Sequence, residues 1–382
     1  MRRLFLYDQA GWPELRWDGG RVGELLSVVR FQQGRLVGRM RYLGFDLQQE
    51  AVLETLTQDV QQTSAIEGER LDIRQVRSSV ARRMGLDAGG VRVEERVDGV
   101  VGMMLDATGN YAEPLTRERL WGWQAALFPS GYSGLSRITV GNWRDDSTGP
   151  MQVVSGPLGR ERVHYQAPPA ARLEHEMAMF LDWLNTDENA DWVIRSALAH
   201  LWFVTIHPFS DGNGRVARAI ADLSLARSEQ SPQRFYSMSS QICAERNDYY
   251  RILEQTQAGT TDITAWMTWF LGCLERAVKS ADTLLEGVLT RARFWRNVRH
   301  LPLNHRQQKV LTRLLDGFQG KLTTSKWAKL AKCSQDTALR DITYLVDRQI
   351  LIRGPAGGRS THYQLDPRQL QEHRISGGAD GI

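Results

Sequence analysis

His207-Pro208-Phe209-Ser210-Asp211-Gly212-Asn213-Gly214-Arg215-Val216-Ala217-Arg218 is the stretch around which the rest of the chain is read. It gathers an imidazole, a carboxylate, an amide, two glycines and two guanidiniums into one short segment. The run Ala197 to Ile206 before it is apolar and reads as a buried helix. After it, Val216, Ala217, Ile220, Leu223 and Leu225 recur at helical spacing. The motif is therefore a helix–loop–helix with its loop at Pro208 to Asn213. Pro208 breaks the first helix. Gly212 and Gly214 are expected to free the backbone for positive φ. Successive N–H groups at such a turn, opening onto a helix N-terminus, form a nest for anions. Arg215 adds a bidentate fork for phosphate oxygens. Asp211 is a hard oxygen ligand of the kind Mg²⁺ accepts beside phosphates. His207 can take a proton near neutral pH.

Composition bounds the setting. A chain of 382 residues suggests two or three domains. It is 42% hydrophobic and 24% charged, an ordinary globular mixture. Cys243, Cys273 and Cys333 are odd in number and far apart, which gives neither a disulfide framework nor a zinc pattern. The expected location is the reducing cytoplasm. Asp8 comes too early for a signal peptide, and no run of apolar residues is long enough for a membrane span. The formal charge is +4, yet Arg291 to Leu365 alone hold fifteen Lys/Arg against four Asp/Glu. A mildly acidic body thus carries a basic C-terminal module, and only the module is expected to meet polyanions.

The central string resembles the signature of the Fic family, HPFxDGNGRxxR, at every fixed position. The resemblance implies transfer of AMP from ATP to a Ser, Thr or Tyr hydroxyl of a target protein. It makes His207 the general base and Asp211 the Mg²⁺ ligand. Gly212, Asn213, Gly214 and Arg215 would cradle the α- and β-phosphates, and Arg218 would reach the γ-phosphate. Phe209 would anchor the loop in the core. A phosphotransferase branch of the family has Lys where this chain has Gly214, which argues against that branch. Many Fic proteins have a His where this chain has Gln124, a position that looks structural.

Two further segments extend the resemblance. Residues 47 to 68 form an amphipathic helix through Leu47, Ala51, Leu53, Leu56 and Val60. It ends in Thr63-Ser64-Ala65-Ile66-Glu67-Gly68, which matches the family's inhibitory motif S/T-x-x-x-E-G/N. Glu67, held by a bidentate pair, would occupy the Arg218 guanidinium that the γ-phosphate needs. Gly68 reads as the helix cap. Residues 244 to 250 resemble the segment that closes over adenine and ribose, with Asn247, Tyr249 and Tyr250 as contacts. Which tyrosine faces the nucleotide is open. Between Gly141 and Pro169 the pattern alternates, and a β-hairpin with its tip at Gly156 to Gly159 is expected. In the family such a flap pairs with an extended target segment, so residues 151–165 would dock the acceptor.

The remaining helices are expected over Arg21–Gln33 (ended by Gly34), Ile73–Met84, Arg92–Gly109 and Ala170–Asn185. Another follows Thr116, one covers Asp262–Leu271, and a separate basic connector spans 275–300. From Arg306 onward, helix, helix, turn, helix and a hairpin follow the winged-helix order. Gln335, Asp336, Thr337 and Arg340 sit on the would-be recognition helix, and Arg359 tips the wing. DNA contact through 322–363 and protein docking are both open readings.

The fold class expected is mainly α: a Fic-type helical domain with a β-hairpin flap, plus a C-terminal winged helix-turn-helix domain. The division is 1–110 for an N-terminal extension with the inhibitory helix, 111–290 for the catalytic domain, 291–366 for the winged helix and 367–382 for a disordered tail. Function divides into an autoinhibited adenylyltransferase, which also admits the reverse removal of AMP, and an ATP-sensing transcription regulator. The resemblance implies pairing into homodimers.

Overall fold

A computed structural model of the protein describes residues 4–41, 44–147, 149–156, 160, 162–186, 190–315, 317–318, 320–354 and 361–370. It separates into two compact units, Met1–Asp282 and Thr283–Ile382.

The first unit opens with α1 (Gly19–Arg41), α2 (Phe45–Ile66), α3 (Ile73–Arg83), α4 (Glu95–Gly109) and α5 (Arg117–Leu127). A small hairpin, β1 (Tyr132–Ser133) and β2 (Ser136–Arg137), precedes the longer hairpin β3 (Gln152–Ser155) and β4 (Arg162–Gln166). Then come α6 (Leu173–Thr186), α7 (Trp192–Ile206), α8 (Asn213–Glu229), α9 (Met238–Ala244), α10 (Arg246–Gln257) and α11 (Thr264–Val298). The boundary between the units falls within α11. The chain is mainly α.

Helix α7 is the buried axis of the first unit: every residue from Val193 to Ile206 is buried. Such an all-round apolar helix is stable only inside other helices, and α8 lies against it along much of its length. Asp191 caps α7 by accepting from the Val193 N–H, and Thr116 caps α5 by accepting from the Arg119 N–H.

Two expectations fail on helix length. Helix α1 does not end at Gly34 but runs on to Arg41. Leu36 and Met40 continue the buried stripe of Val22 and Val29, and their burial outweighs the roughly 1 kcal/mol that a mid-helix glycine costs. Likewise the helix near Asp262 and the basic connector are one element, α11. Trp266, Phe270, Leu274, Val278 and Leu285 keep one apolar face buried through the supposed break.

In the second unit, α12 (His305–Leu315), α13 (Thr324–Ala331) and α14 (Gln335–Asp347) surround Trp327, with β5 (Leu351–Arg353) and β6 (Tyr363–Leu365) paired antiparallel beside them. Ser334 caps α14 by accepting from the Thr337 N–H. Leu322 bridges to Tyr363, which ties the start of the helical pair to the hairpin. Arg359 and the rest of 355–360 lie outside the described residues, as do the flap tip at 157–159 and the tail from 371. The expected disorder from 367 is corrected at its start: Pro367–Leu370 forms a 3-10 turn.

Candidate active site

The motif sits where α7 ends and α8 begins. His207 takes a left-handed conformation, φ 52° and ψ 57°, and its N–H closes the last turn of α7 on the Phe203 carbonyl at 2.9 Å. The loop that follows is pinned from within. Phe209 is fully buried, with its ring 5.1 Å from Trp143 and 6.1 Å from Phe203. The Asn213 amide clasps the Phe209 backbone on both sides, accepting from its N–H at 2.9 Å and donating to its carbonyl at 2.8 Å. The Asn213 side chain is thus spent on loop shape, and only its backbone N–H is left to face an anion. Gly212 has φ 91° and opens α8.

Arg144 clamps the loop from outside the motif. Its Nε donates to the His207 carbonyl at 2.8 Å, and its N–H donates to the Pro208 carbonyl at 2.9 Å. Sequence reasoning missed it; an Arg in a turn-rich stretch gives no signal of such a task. The Gln124 side chain is buried and bonds the Thr139 carbonyl and the Gly141 N–H, which holds the segment carrying Arg144.

One ring nitrogen of His207 keeps an available lone pair. Its Nδ1 lies 3.2 Å from the Val204 carbonyl. A carbonyl only accepts, so Nδ1 carries the proton and Nε2 keeps its lone pair. Burial pushes the imidazole down to about 4, against the pull of the Val204 bond, and the Arg144 charge adds to the shift. The ring is therefore neutral at pH 7.

Glu67 occupies the mouth of the anion nest. Its Oε1 accepts from Arg218 Nη2 at 2.8 Å. The expected bidentate pair is corrected to a single bond. Thr63 takes the rest of that edge: Arg218 Nε donates to its hydroxyl at 2.7 Å and Nη2 to its carbonyl at 2.8 Å. Gly68, with φ 86°, ends the helix behind Glu67. The reason for Gly214 also differs from the expectation. It lies in the first turn of α8 and is absent from the positive-φ glycines. A Cβ there would overlap Glu67 Oε1, so the glycine lets a carboxylate approach the helix backbone closely. Arg215 is drawn aside to Glu69, which accepts from its Nη1 at 2.9 Å.

Asp211 accepts from the Ser133 hydroxyl and from the Gly212 N–H. The small hairpin that brings Ser133 was not read from the sequence. Among the described residues no group of three or more His, Cys, Asp or Glu side chains converges as a metal cage. A lone carboxylate at the edge of an anion nest does fit Mg²⁺, which typically takes one or two carboxylates and completes its shell with phosphates and water.

A cavity of about 700 Å³ opens in front of these groups, in the size range of small-molecule sites. Glu67, His207 and Gly214 line one side, the flap residues Val153, Val154, Ser155 and His164 another, and Asn247, Tyr250 and Leu253 of α10 a third. Both tyrosines line the cavity, to different extents. Tyr249 is 2% exposed and its hydroxyl bonds His200 Nε2 at 2.9 Å, whereas Tyr250 is 38% exposed on the cavity wall.

Strands β3 and β4 form the expected flap, with a bulge between Val153 and Val154. Glu254 of α10 fastens it by accepting from Arg162 Nη2 and His164 Nδ1, both at 2.8 Å. His164 Nε2 in turn lies 2.5 Å from the Ser155 hydroxyl across the hairpin. Glu254→Ala is expected to speed amide hydrogen exchange in residues 162–166 roughly fivefold, the equivalent of about 1 kcal/mol for a partly exposed pair. Unchanged exchange would show the flap to be held by its own ladder alone.

The fold and site together define a helical domain built around the α7–α8 loop, with a neutral imidazole at its edge and a carboxylate against the first turn of α8. Residues 114–225 match the Fic/DOC family. Residues 5–86, which include α2 and Glu67, match a region described as Domain of unknown function (DUF4172). Over 233 residues the chain is 27% identical to the protein adenylyltransferase Fic of Nematostella vectensis, covering 60% of this chain and 49% of that one. Over 230 residues it is 26% identical to the protein of the same name from Drosophila willistoni, covering 59% and 41%. The chain thus spans about half the length of these relatives, or less. Among solved structures, a Fic family protein from Desulfovibrio desulfuricans G20 shares the fold with a TM-score of 0.50 at 22% identity, over 90% of this chain and 95% of that one. A Fic domain containing signaling protein from Bacteroides thetaiotaomicron VPI-5482 gives 0.50 at 18%, over 70% and 97%.

Proposed function

We propose that this protein is an adenylyltransferase that moves AMP from ATP to a Ser, Thr or Tyr hydroxyl of a target protein, with Glu67 as its brake. The observation that carries the reading is the shared cavity wall of His207, Gly214 and Glu67: a base, an anion nest and the carboxylate filling it. In this reading the adenosine lies against Tyr250, Asn247 and Leu253. The α- and β-phosphates lie at the backbone N–H groups of Gly212, Asn213 and Gly214 and at Arg215, and the γ-phosphate lies at Arg218. Asp211 would hold Mg²⁺, which supplies charge neutralisation along the phosphates. His207 Nε2 takes the acceptor proton as the hydroxyl oxygen attacks the α-phosphorus and pyrophosphate leaves. The rest is positioning and electrostatics. Val153, Val154 and Val163 are exposed on the flap, where an extended target segment would add a strand. Hydrolytic removal of AMP from a modified target would use the same site: Glu67 would position a water that attacks the phosphorus, and the target hydroxyl would leave with a proton as AMP is released.

The test is Glu67→Gly protein with cell lysate and ATP labelled at either the α or the γ position. Label should enter protein from the α position only. Transfer from the γ position alone would reject nucleotidyl transfer.

A second reading rests on the second unit, which we propose to be a winged-helix module. Gln335, Asp336 and Arg340 are exposed on α14, whose opposite face packs on Trp327. Together with the local excess of Lys and Arg, this favours DNA as partner. Selection from random DNA sequences should yield a site bound equally by His207→Ala protein and lost on deletion of 301–382. No enriched sequence would reject it.

A further inference from the structure

The chain ends α2 with two carboxylates and places them on two different arginines of the motif. Glu67 N and Glu69 N both return to the Ser64 carbonyl, at 3.1 and 3.0 Å, and Gly68 N returns to Ala65 at 3.0 Å. This reversal turns Glu67 and Glu69 toward α8. Glu67 Oε1 meets Arg218 Nη2 at 2.8 Å, and Glu69 Oε2 meets Arg215 Nη1 at 2.9 Å. Both guanidiniums are buried, at 2% exposure, while the carboxylates reach them from the partly open side at 31% and 30%. The turn is itself held down, since the Ile66 carbonyl accepts from Arg246 Nε at 2.7 Å and from the Tyr250 hydroxyl at 3.1 Å.

Each arginine retains at least one buried donor atom without an acceptor. Arg215 Nε and Arg218 Nη1 are buried and find no hydrogen-bond acceptor among the described residues. Buried guanidinium donors are costly to leave unmet, and one monodentate carboxylate apiece does not meet them. A polyphosphate, with several oxygens on adjacent phosphorus atoms, offers acceptors to both forks at once. The carboxylates therefore hold the places of phosphate groups while serving them less completely.

We propose that Glu69 is a second brake: it holds Arg215 as Glu67 holds Arg218, so that the end of α2 is a two-pronged mimic of the polyphosphate. The proposal rests on reading this site as an ATP site. Removing Glu67 alone then leaves the turn tethered through Glu69 and one of the two arginines still occupied. Full release of the nest requires both carboxylates to go.

The experiment uses the full chain as wild type, Glu67→Gln, Glu69→Gln and the double variant, each checked for unchanged helix content. Each is titrated with Mg²⁺-ATP and, separately, with inorganic triphosphate. Glu69→Gln should tighten both ligands on the order of tenfold, the size of one charge-assisted hydrogen bond, in either background. The double variant should bind tightest. Glu69→Asp keeps the charge but shortens the reach, and should fall between wild type and Glu69→Gln. Unchanged or weaker binding by Glu69→Gln would overturn the proposal and make Glu69 a support for Arg215. Tightening with ATP but not with triphosphate would overturn it as well, because the effect would then lie outside the phosphate site. Transfer of α-label is scored in parallel. If triphosphate affinity rises stepwise but no variant labels protein, adenylyl transfer fails and the brake stands. If Glu67→Gln labels protein while Glu69→Gln changes no affinity, the brake fails and the transferase reading stands.

Discussion

His207→Ala, made in a Glu67→Gly background, is expected to lower transfer of α-label by about 10²- to 10⁴-fold, the range for removal of a general base. Affinity for ATP should stay within about twofold, because the phosphate contacts proposed for Arg215, Arg218 and the α8 backbone do not involve the imidazole. The two measurements separate loss of chemistry from loss of binding. The pH profile adds an independent check. A base works in its neutral form, and burial holds His207 at about 4. The rate should therefore be level across the range where a solvent-exposed histidine would titrate, and fall only in stronger acid. A fall centred near the ordinary histidine value would mean that the group acting as base is not this ring.

The second large effect is on stability. His200 lies in the middle of α7, fully buried, and burial together with the nearby Arg218 charge pushes it down to about 3. In the unfolded chain it titrates at its ordinary value. Between those two values the unfolded state binds the extra proton, so stability is complete above the ordinary value and is lost as pH falls toward 3. From neutrality down to about pH 4.5 this one residue should withdraw on the order of 3 kcal/mol. The check compares wild type with His200→Gln by urea unfolding at both pH values. Carboxylates titrate in both proteins, so the difference between the two slopes isolates His200. Equal slopes would show that the ring protonates without leaving its place beside Tyr249.

The uneven legibility of this chain has a physical cause. The ends of α5, α7 and α14 were readable because a cap acts on a backbone donor only two or three residues away. Helix continuity was not. Gly34 and residues 272–274 looked like breaks, and only the packing of Leu36, Met40 and Leu274 showed that the helices run through. The contacts that shape the site are longer still. Arg144 reaches the His207 carbonyl across 63 positions of sequence, Ser133 reaches Asp211 across 78, and Arg215 reaches Glu69 across 146. No periodicity or spacing rule encodes such pairs.

By itself, then, the sequence determined the helical class, the helix–loop–helix with its Pro and Gly positions, and a glutamate at the end of a helix. Those are local properties: they follow from backbone φ and ψ preferences and from side chains within a turn or two of one another. The tertiary structure alone decided that Tyr250 is the more exposed of the two tyrosines, that Arg218 is held through Thr63 as well as Glu67, why Gly214 must lack a side chain, and that Glu69 stands on Arg215. Each of these depends on where distant helices bring their side chains, and burial of apolar faces over whole elements, rather than any short stretch, sets that placement.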